Sequence, residues 1–186
     1  MKPKSRLSSA VVVGALLLSV ASAGFAAPDA LMRSYYGAKL ADNARNRFST
    51  EPLDPMMSRP SDPALDAVVQ WDRLRRDAYD ATLSEFTGFL AAHPGWPANT
   101  TIRRHAERSI TAGTSAADRL AYFKANPPLS AVGKLRLAEA YAATGRLADA
   151  TTMARDAWDS SGLDAGQEAE LLARFGSVIT PDDNRL

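Results

Sequence analysis

At 186 residues, with 46% hydrophobic and 23% charged side chains, the chain has enough apolar material for one domain-sized core. It holds no cysteine, which excludes a disulfide framework and thiolate chemistry. Its 22 Lys and Arg against 21 Asp and Glu leave it near neutral, without the long-range positive field that nucleic acid binding rewards.

Residues 1–26 read as a secretory signal peptide: basic Lys2, Lys4 and Arg6, an apolar run Ala10–Val20, then small residues that fit cleavage after Ala23 or Ala26. The apolar run is too short for a permanent membrane span. Losing the signal lowers the formal charge of +1 by three, to −2, and leaves a chain of about 160 residues, the size of one domain. A periplasmic location is expected, with no membrane association after cleavage. Residues 27–63 read as a poorly structured arm and Pro-rich linker. Leu31, Tyr35, Leu40 and Phe48 suit one short helix, after which Pro52, Pro55, Pro60 and Pro63 interrupt both helix and sheet.

From residue 64 onward helix punctuation becomes regular. Asp62-Pro63 is an N-cap followed by an N1 proline, opening a helix through Leu65, Val68, Val69 and Leu74. Thr82 to Glu85 forms a capping box, leading a helix that buries Leu83, Phe86 and Leu90 until "HPGWP" ends it at 93–97. Ile102, Ala106 and Ile110 mark a helix from Asn99 to Ala112, with Gly113 placed to take the left-handed conformation. A second box, Ser115 to Asp118, opens a helix that Pro127-Pro128 stops. Ser130–Thr144 and Leu147–Ser160 follow, joined at Gly145, with Leu135, Ala138 and Ala142 facing Ala150, Ala154 and Ala157. A last pair is expected to start near Gly166 and close at Phe175-Gly176. Thr180-Pro181-Asp182-Asp183 then announces a further helix barely one turn before Leu186, so the chain is expected to be a truncated piece of something longer.

No stretch alternates with period two, so the expected class is all-α. Alternate helices start near 64, 99, 130 and 166, a spacing that suits stacked helix-turn-helix units. Leu137, Tyr141, Gly145, Ala150 and Ala157 fall at the spacing of a tetratricopeptide (TPR) repeat. The expected architecture over 64–186 is thus a right-handed α-superhelix, or solenoid, of TPR-like repeats.

Candidate chemistry is sparse, and no catalytic, cofactor or metal site is expected. His93 precedes proline at a helix end, where an imidazolium interacts well with terminal carbonyls. His105 has no second histidine at i+4 and no acidic ligand spaced for metal. Glycoside cleavage needs two carboxylates in different environments, but Glu85 belongs to a cap. Glu107, Glu139, Glu168 and Glu170 read as solvated helix positions. Arg73/Arg75/Arg76 and Arg103/Arg104/Arg108 either line one face that holds anionic polymers or acidic stem peptides, or form solvated faces interleaved with Asp72, Asp77 and Glu107. Trp71, Trp96 and Trp158 either stack on sugar rings or anchor helix packing.

"FLAAHPGWP" (89–97), "RRHAERSI" (103–110), "NPPLSAVGKLRLAEAYAATGRLADA" (126–150), "ARDAW" (154–158) and "LLARFGSVITPDD" (171–183) together cover most of residues 65–186. They resemble the N-terminal superhelical, U-shaped region of proteobacterial soluble lytic murein transglycosylases, which cut peptidoglycan glycan strands. The resemblance implies that "HPGWP" is a corner between two helices, with Trp96 plugging the groove between them. It also implies a noncatalytic scaffold role in murein turnover, weak contact with glycan strands through a basic face, and a monomeric chain. In that family activity resides in a C-terminal lysozyme-like domain whose catalytic glutamate precedes serine. No Glu-Ser dipeptide occurs here, so no catalytic residue carries over and the chain is expected to be inactive alone. The competing reading is a freestanding periplasmic TPR-like scaffold that binds a partner protein.

Overall fold

The computed structural model describes residues 30–48 and 62–179; the signal segment, most of the Pro-rich stretch and the final box at 180–183 lie outside them. The described residues form eight helices and no strand: α1 (Ala30–Ala44), α2 (Pro63–Leu74), α3 (Leu83–Ala92), α4 (Asn99–Ser109), α5 (Ala116–Ala125), α6 (Ala131–Ala143), α7 (Leu147–Trp158) and α8 (Ala165–Phe175). The protein is all-α.

Segment 27–63 is more ordered than an arm in its described part. α1 docks on α2 by burying Tyr35 and Tyr36 against Leu65 and Val69. Polar ties fix the register: Tyr36 donates to Asp66 Oδ1 at 3.0 Å and accepts from the Asp62 N–H at 3.0 Å. Buried Asn43 donates to the Val69 carbonyl at 3.2 Å. The apolar spacing of α1 is weak by itself; its partner on α2 makes it a stable element.

Local signals place most helix starts. Asp62 caps α2 through the Ala64 and Leu65 N–H groups, with Pro63 in the first turn. Thr82 and Glu85 close the capping box of α3 reciprocally. Ser115 accepts from the Asp118 N–H, but the Asp118 carboxylate takes the Ser115 hydroxyl at 2.6 Å, so this cap is one-sided. A further box, Asp164 with Gln167, opens α8; its D-x-x-Q pattern is legible in the sequence but was not among the expected caps. Gly145 has φ 77° and makes the tight α6–α7 corner, as its position implies.

α4 ends at Ser109, three residues before the expected Ala112, and Gly113 is absent from the left-handed residues. Arg119 supplies the reason. Its guanidinium donates to the carbonyls of Thr111 at 2.9 Å and Ala112 at 2.5 Å, satisfying them outside the helix where a continued helix would have used them. Ile110, released from the helix, is buried in the core. At the other end only α8 is described where a pair was expected, and Gly176 keeps a right-handed φ of −57°.

Two cores follow one another along the chain. The first gathers Trp71, Leu74, Phe86, Phe89, Ile102, Ile110, Tyr122 and Phe123 from α2 to α5. The second gathers Leu135, Ala138, Ala150, Ala154, Ala157, Leu171 and Phe175 from α6 to α8. Tyr141 and Met153 touch both, which joins them into one continuous interior.

Candidate functional site

The "HPGWP" segment is a packed corner. His93 ends α3, its N–H donating to the Phe89 carbonyl at 2.9 Å, and its ring lies 4.7 Å from both Phe89 and Trp96. Trp96 meets Phe89 edge-on at 5.6 Å and Trp71 at 6.5 Å. Trp71 Nε1 donates to the Pro97 carbonyl at 2.7 Å, tying the corner back to α2. Trp158 is half-buried against the second core. All three tryptophans therefore serve packing.

His105 is buried with its Nδ1 2.9 Å from the Leu74 carbonyl and its Nε2 3.2 Å from Asp77 Oδ1. It links the end of α2 to α4. Among the described residues no three His, Cys, Asp or Glu side chains gather as a metal-binding group.

Two of the carboxylates expected on solvated faces are buried. Glu107 is 0% exposed and accepts from the Leu129 N–H at 2.6 Å, the Ser130 N–H at 2.8 Å and the Ser130 hydroxyl. It holds the start of α6 against α4, and only glycine fits at 133: a Cβ there would lie 2.5 Å from Glu107 Oε2. Glu139 is 3% exposed and accepts from Arg119 at 2.7 Å and from Arg136 at 3.0 Å. Arg136 also donates to half-buried Glu170 at 2.8 Å. Burial of charge is tolerated where every oxygen finds a donor. Arg136 lies one turn from Glu139 on α6, but Arg119, Leu129 and Ser130 come from other segments 20 to 23 residues away, beyond the reach of periodicity. One signal was available: α6 is apolar around most of its circumference, so its charged residues had to be enclosed. With their oxygens so occupied, Glu107 and Glu139 are not free to meet a substrate.

The arginine clusters separate in the structure. Arg75 and Arg76 both bond Asp72, which is 0% exposed, while Arg73 donates to Asn43 Oδ1 at 3.1 Å. Arg75 also lies 4.7 Å over the Trp71 ring. Arg103 donates to the Pro127 carbonyl. The first cluster and Arg103 are thus engaged in holding the fold.

Arg104 and Arg108 remain, one turn apart on the exposed side of α4. They line a groove of about 510 Å³ together with Leu129, Ser130, Ala131 and Val132 at the start of α6 and Ser160, Ser161 and Gly162 beyond α7. Glu107 builds it, since pinning residues 129–130 beneath α4 leaves its two arginine neighbours flanking the depression. Lys134 fixes the segment beyond α7, donating to the Asp156 carbonyl at 3.2 Å and to Ser160 Oγ at 2.9 Å. Gly162 turns the chain there with φ 111°. Arg108 donates to Asp77 Oδ1 at 2.7 Å, and this bond, followed by the His105 and Arg108 charges, lowers the Asp77 carboxyl below its ordinary 3.8. Among the described residues no acidic side chain lines the groove. Its chemistry is that of anion recognition.

No helix among the described residues is long and apolar enough to cross a membrane. The chain matches no family model, and no curated protein and no solved structure proved similar to it.

Proposed function

We propose that this chain is a noncatalytic superhelical scaffold segment of a periplasmic peptidoglycan lytic transglycosylase. On this reading helix pairs stack as TPR-like repeats into a right-handed superhelix that guides glycan strands, while cleavage belongs to the lysozyme-like domain of the intact enzyme. The observation that carries it is the row formed by alternate helices. α2, α4, α6 and α8 open at Pro63, Asn99, Ala131 and Ala165, a spacing suited to a helix-pair repeat. Each is tied to the next across its pair: His105 to the Leu74 carbonyl, Glu107 to Ser130, and Arg136 to Glu170. Contacts limited to neighbouring units are the hallmark of solenoids.

Incubation of the purified chain with peptidoglycan sacculi tests the reading. The chain is expected to sediment with sacculi at low salt, to release them as salt screens its charges over about 8 Å at physiological ionic strength, and to produce no anhydromuropeptides. Failure to sediment would overturn the peptidoglycan assignment. Turnover abolished by one Glu→Gln change would overturn the noncatalytic role.

A further inference from the structure

The groove beside α4 has a more specific chemistry than a diffuse basic face. Arg104 is exposed and, among the described residues, makes no hydrogen bond or ion pair, so its full set of donors faces solvent. Arg108 lies one turn further along, about 6 Å by helical rise. Its partner Asp77 is 84% exposed, and an exposed pair of this kind is weak enough to be exchanged for a ligand carboxylate. Glu107 is buried with its oxygens taken by Leu129 and Ser130, so it presents no acceptor to the groove. Beyond α7, the exposed Ser161 hydroxyl has no partner among the described residues, and Lys134 stands behind Ser160 at 2.9 Å.

Two separated guanidinium groups suit two separate carboxylates better than a single phosphate. Leu129, Ala131 and Val132 add apolar surface beside Ser130, which suits short alkyl side chains. A sugar ring is the poorer fit, because stacking needs an aromatic platform and none of the tryptophans lines the groove. A volume of about 510 Å³ lies in the range of small-ligand sites and accommodates a few residues of peptide. We propose that the groove binds an acidic peptide, one carboxylate on Arg104 and a second replacing Asp77 on Arg108. Resting on the scaffold reading above, that peptide is the stem peptide of peptidoglycan.

Calorimetric titration of the purified full chain tests this, with a synthetic stem tripeptide as free acid, the same peptide amidated, an unrelated acidic tripeptide, and inorganic phosphate as probes. The free acid is expected to bind at least about tenfold more tightly than the amidated form, since charge-assisted bonds to guanidinium are lost on amidation. Arg104→Gln is expected to weaken binding by about tenfold with an unchanged thermal midpoint, because Arg104 has no structural partner to lose. Equal binding of acid and amide, indifference to Arg104→Gln, or displacement of the peptide by phosphate at similar concentration would each overturn the site. Equal affinity for the unrelated acidic tripeptide would uphold the acidic-peptide site and overturn its peptidoglycan assignment. No binding of either peptide to a chain that still sediments with sacculi would overturn the site while leaving the scaffold reading in place.

Discussion

Between α2 and α5 the core is built from rings, and between α6 and α7 it is built from methyl groups. In the first region Trp71, Phe86, Phe89, Tyr122 and Phe123 fill the space between helices, with Tyr122 and Phe123 meeting edge-on at 5.1 Å. In the second, Ala138, Ala154 and Ala157 are each 0% exposed and Ala150 is 2% exposed, so two backbones approach with almost nothing between them. Large side chains tie the shape of the first region to their own volume. Small ones leave the second region no space to receive any more. The first is therefore vulnerable to deletion of atoms and the second to their addition.

The largest effect is expected from Trp71→Ala. Trp71 is 2% exposed, touches Trp96, and donates to the Pro97 carbonyl, so the change removes ring, corner support and hydrogen bond together. It should cost roughly 3–5 kcal/mol in chemical denaturation. Trp96→Ala, at a half-buried ring on the rim of the same core, should cost about half as much. A reversed order would mean that the corner, and not the α2 anchor, organises the aromatic region.

Ala154→Leu tests the opposite vulnerability and should cost about 1–3 kcal/mol by forcing α6 and α7 apart. The same enlargement at exposed Ala148, on the same helix, should leave the unfolding free energy within about 0.5 kcal/mol of the parent. A neutral Ala154→Leu would show that the seam has room and that close backbone approach does not define it.

The smallest effect sharpens the comparison through charge. The second region is crossed by a chain of ion pairs, Arg119–Glu139–Arg136–Glu170, which runs from α5 through α6 to α8. Burial raises Glu170, but the hydrogen bond from Arg136 and the charges of Arg136 and Arg174 outweigh it and hold the carboxyl below its ordinary 4.5. A depressed folded value means that the stabilisation is present above pH 4.5 and is lost as pH falls through the folded value. Thermal melts from about pH 6 to about pH 3 should therefore show a decline in midpoint that is shallower in Glu170→Gln. Parallel declines in parent and variant would remove Glu170 from the acid response.

Sequence by itself determined what acts over four residues or fewer. The Thr82–Glu85 box, the Asp62-Pro63 start and the Gly145 corner stand where they were read, because each is a bond or a backbone preference closed within one turn. The all-α class and the facing of Leu135 and Ala138 to Ala150, Ala154 and Ala157 were legible for a related reason: helical period is a local property repeated. Tertiary structure decided the fate of the charged residues. Glu107 and Glu139 carry the same side chain as exposed Glu168, and only the arrival of backbone N–H groups from Leu129 and Ser130 and of the Arg119 guanidinium allows them inside. The same step chose the candidate site. Six arginines stood in two clusters, but Asp72, Asn43 and the Pro127 carbonyl engage four of them and Asp77 holds Arg108 at the surface. Arg104 is left at the groove because a charge in sequence has no address until the packing of distant helices decides which acceptors lie beside it.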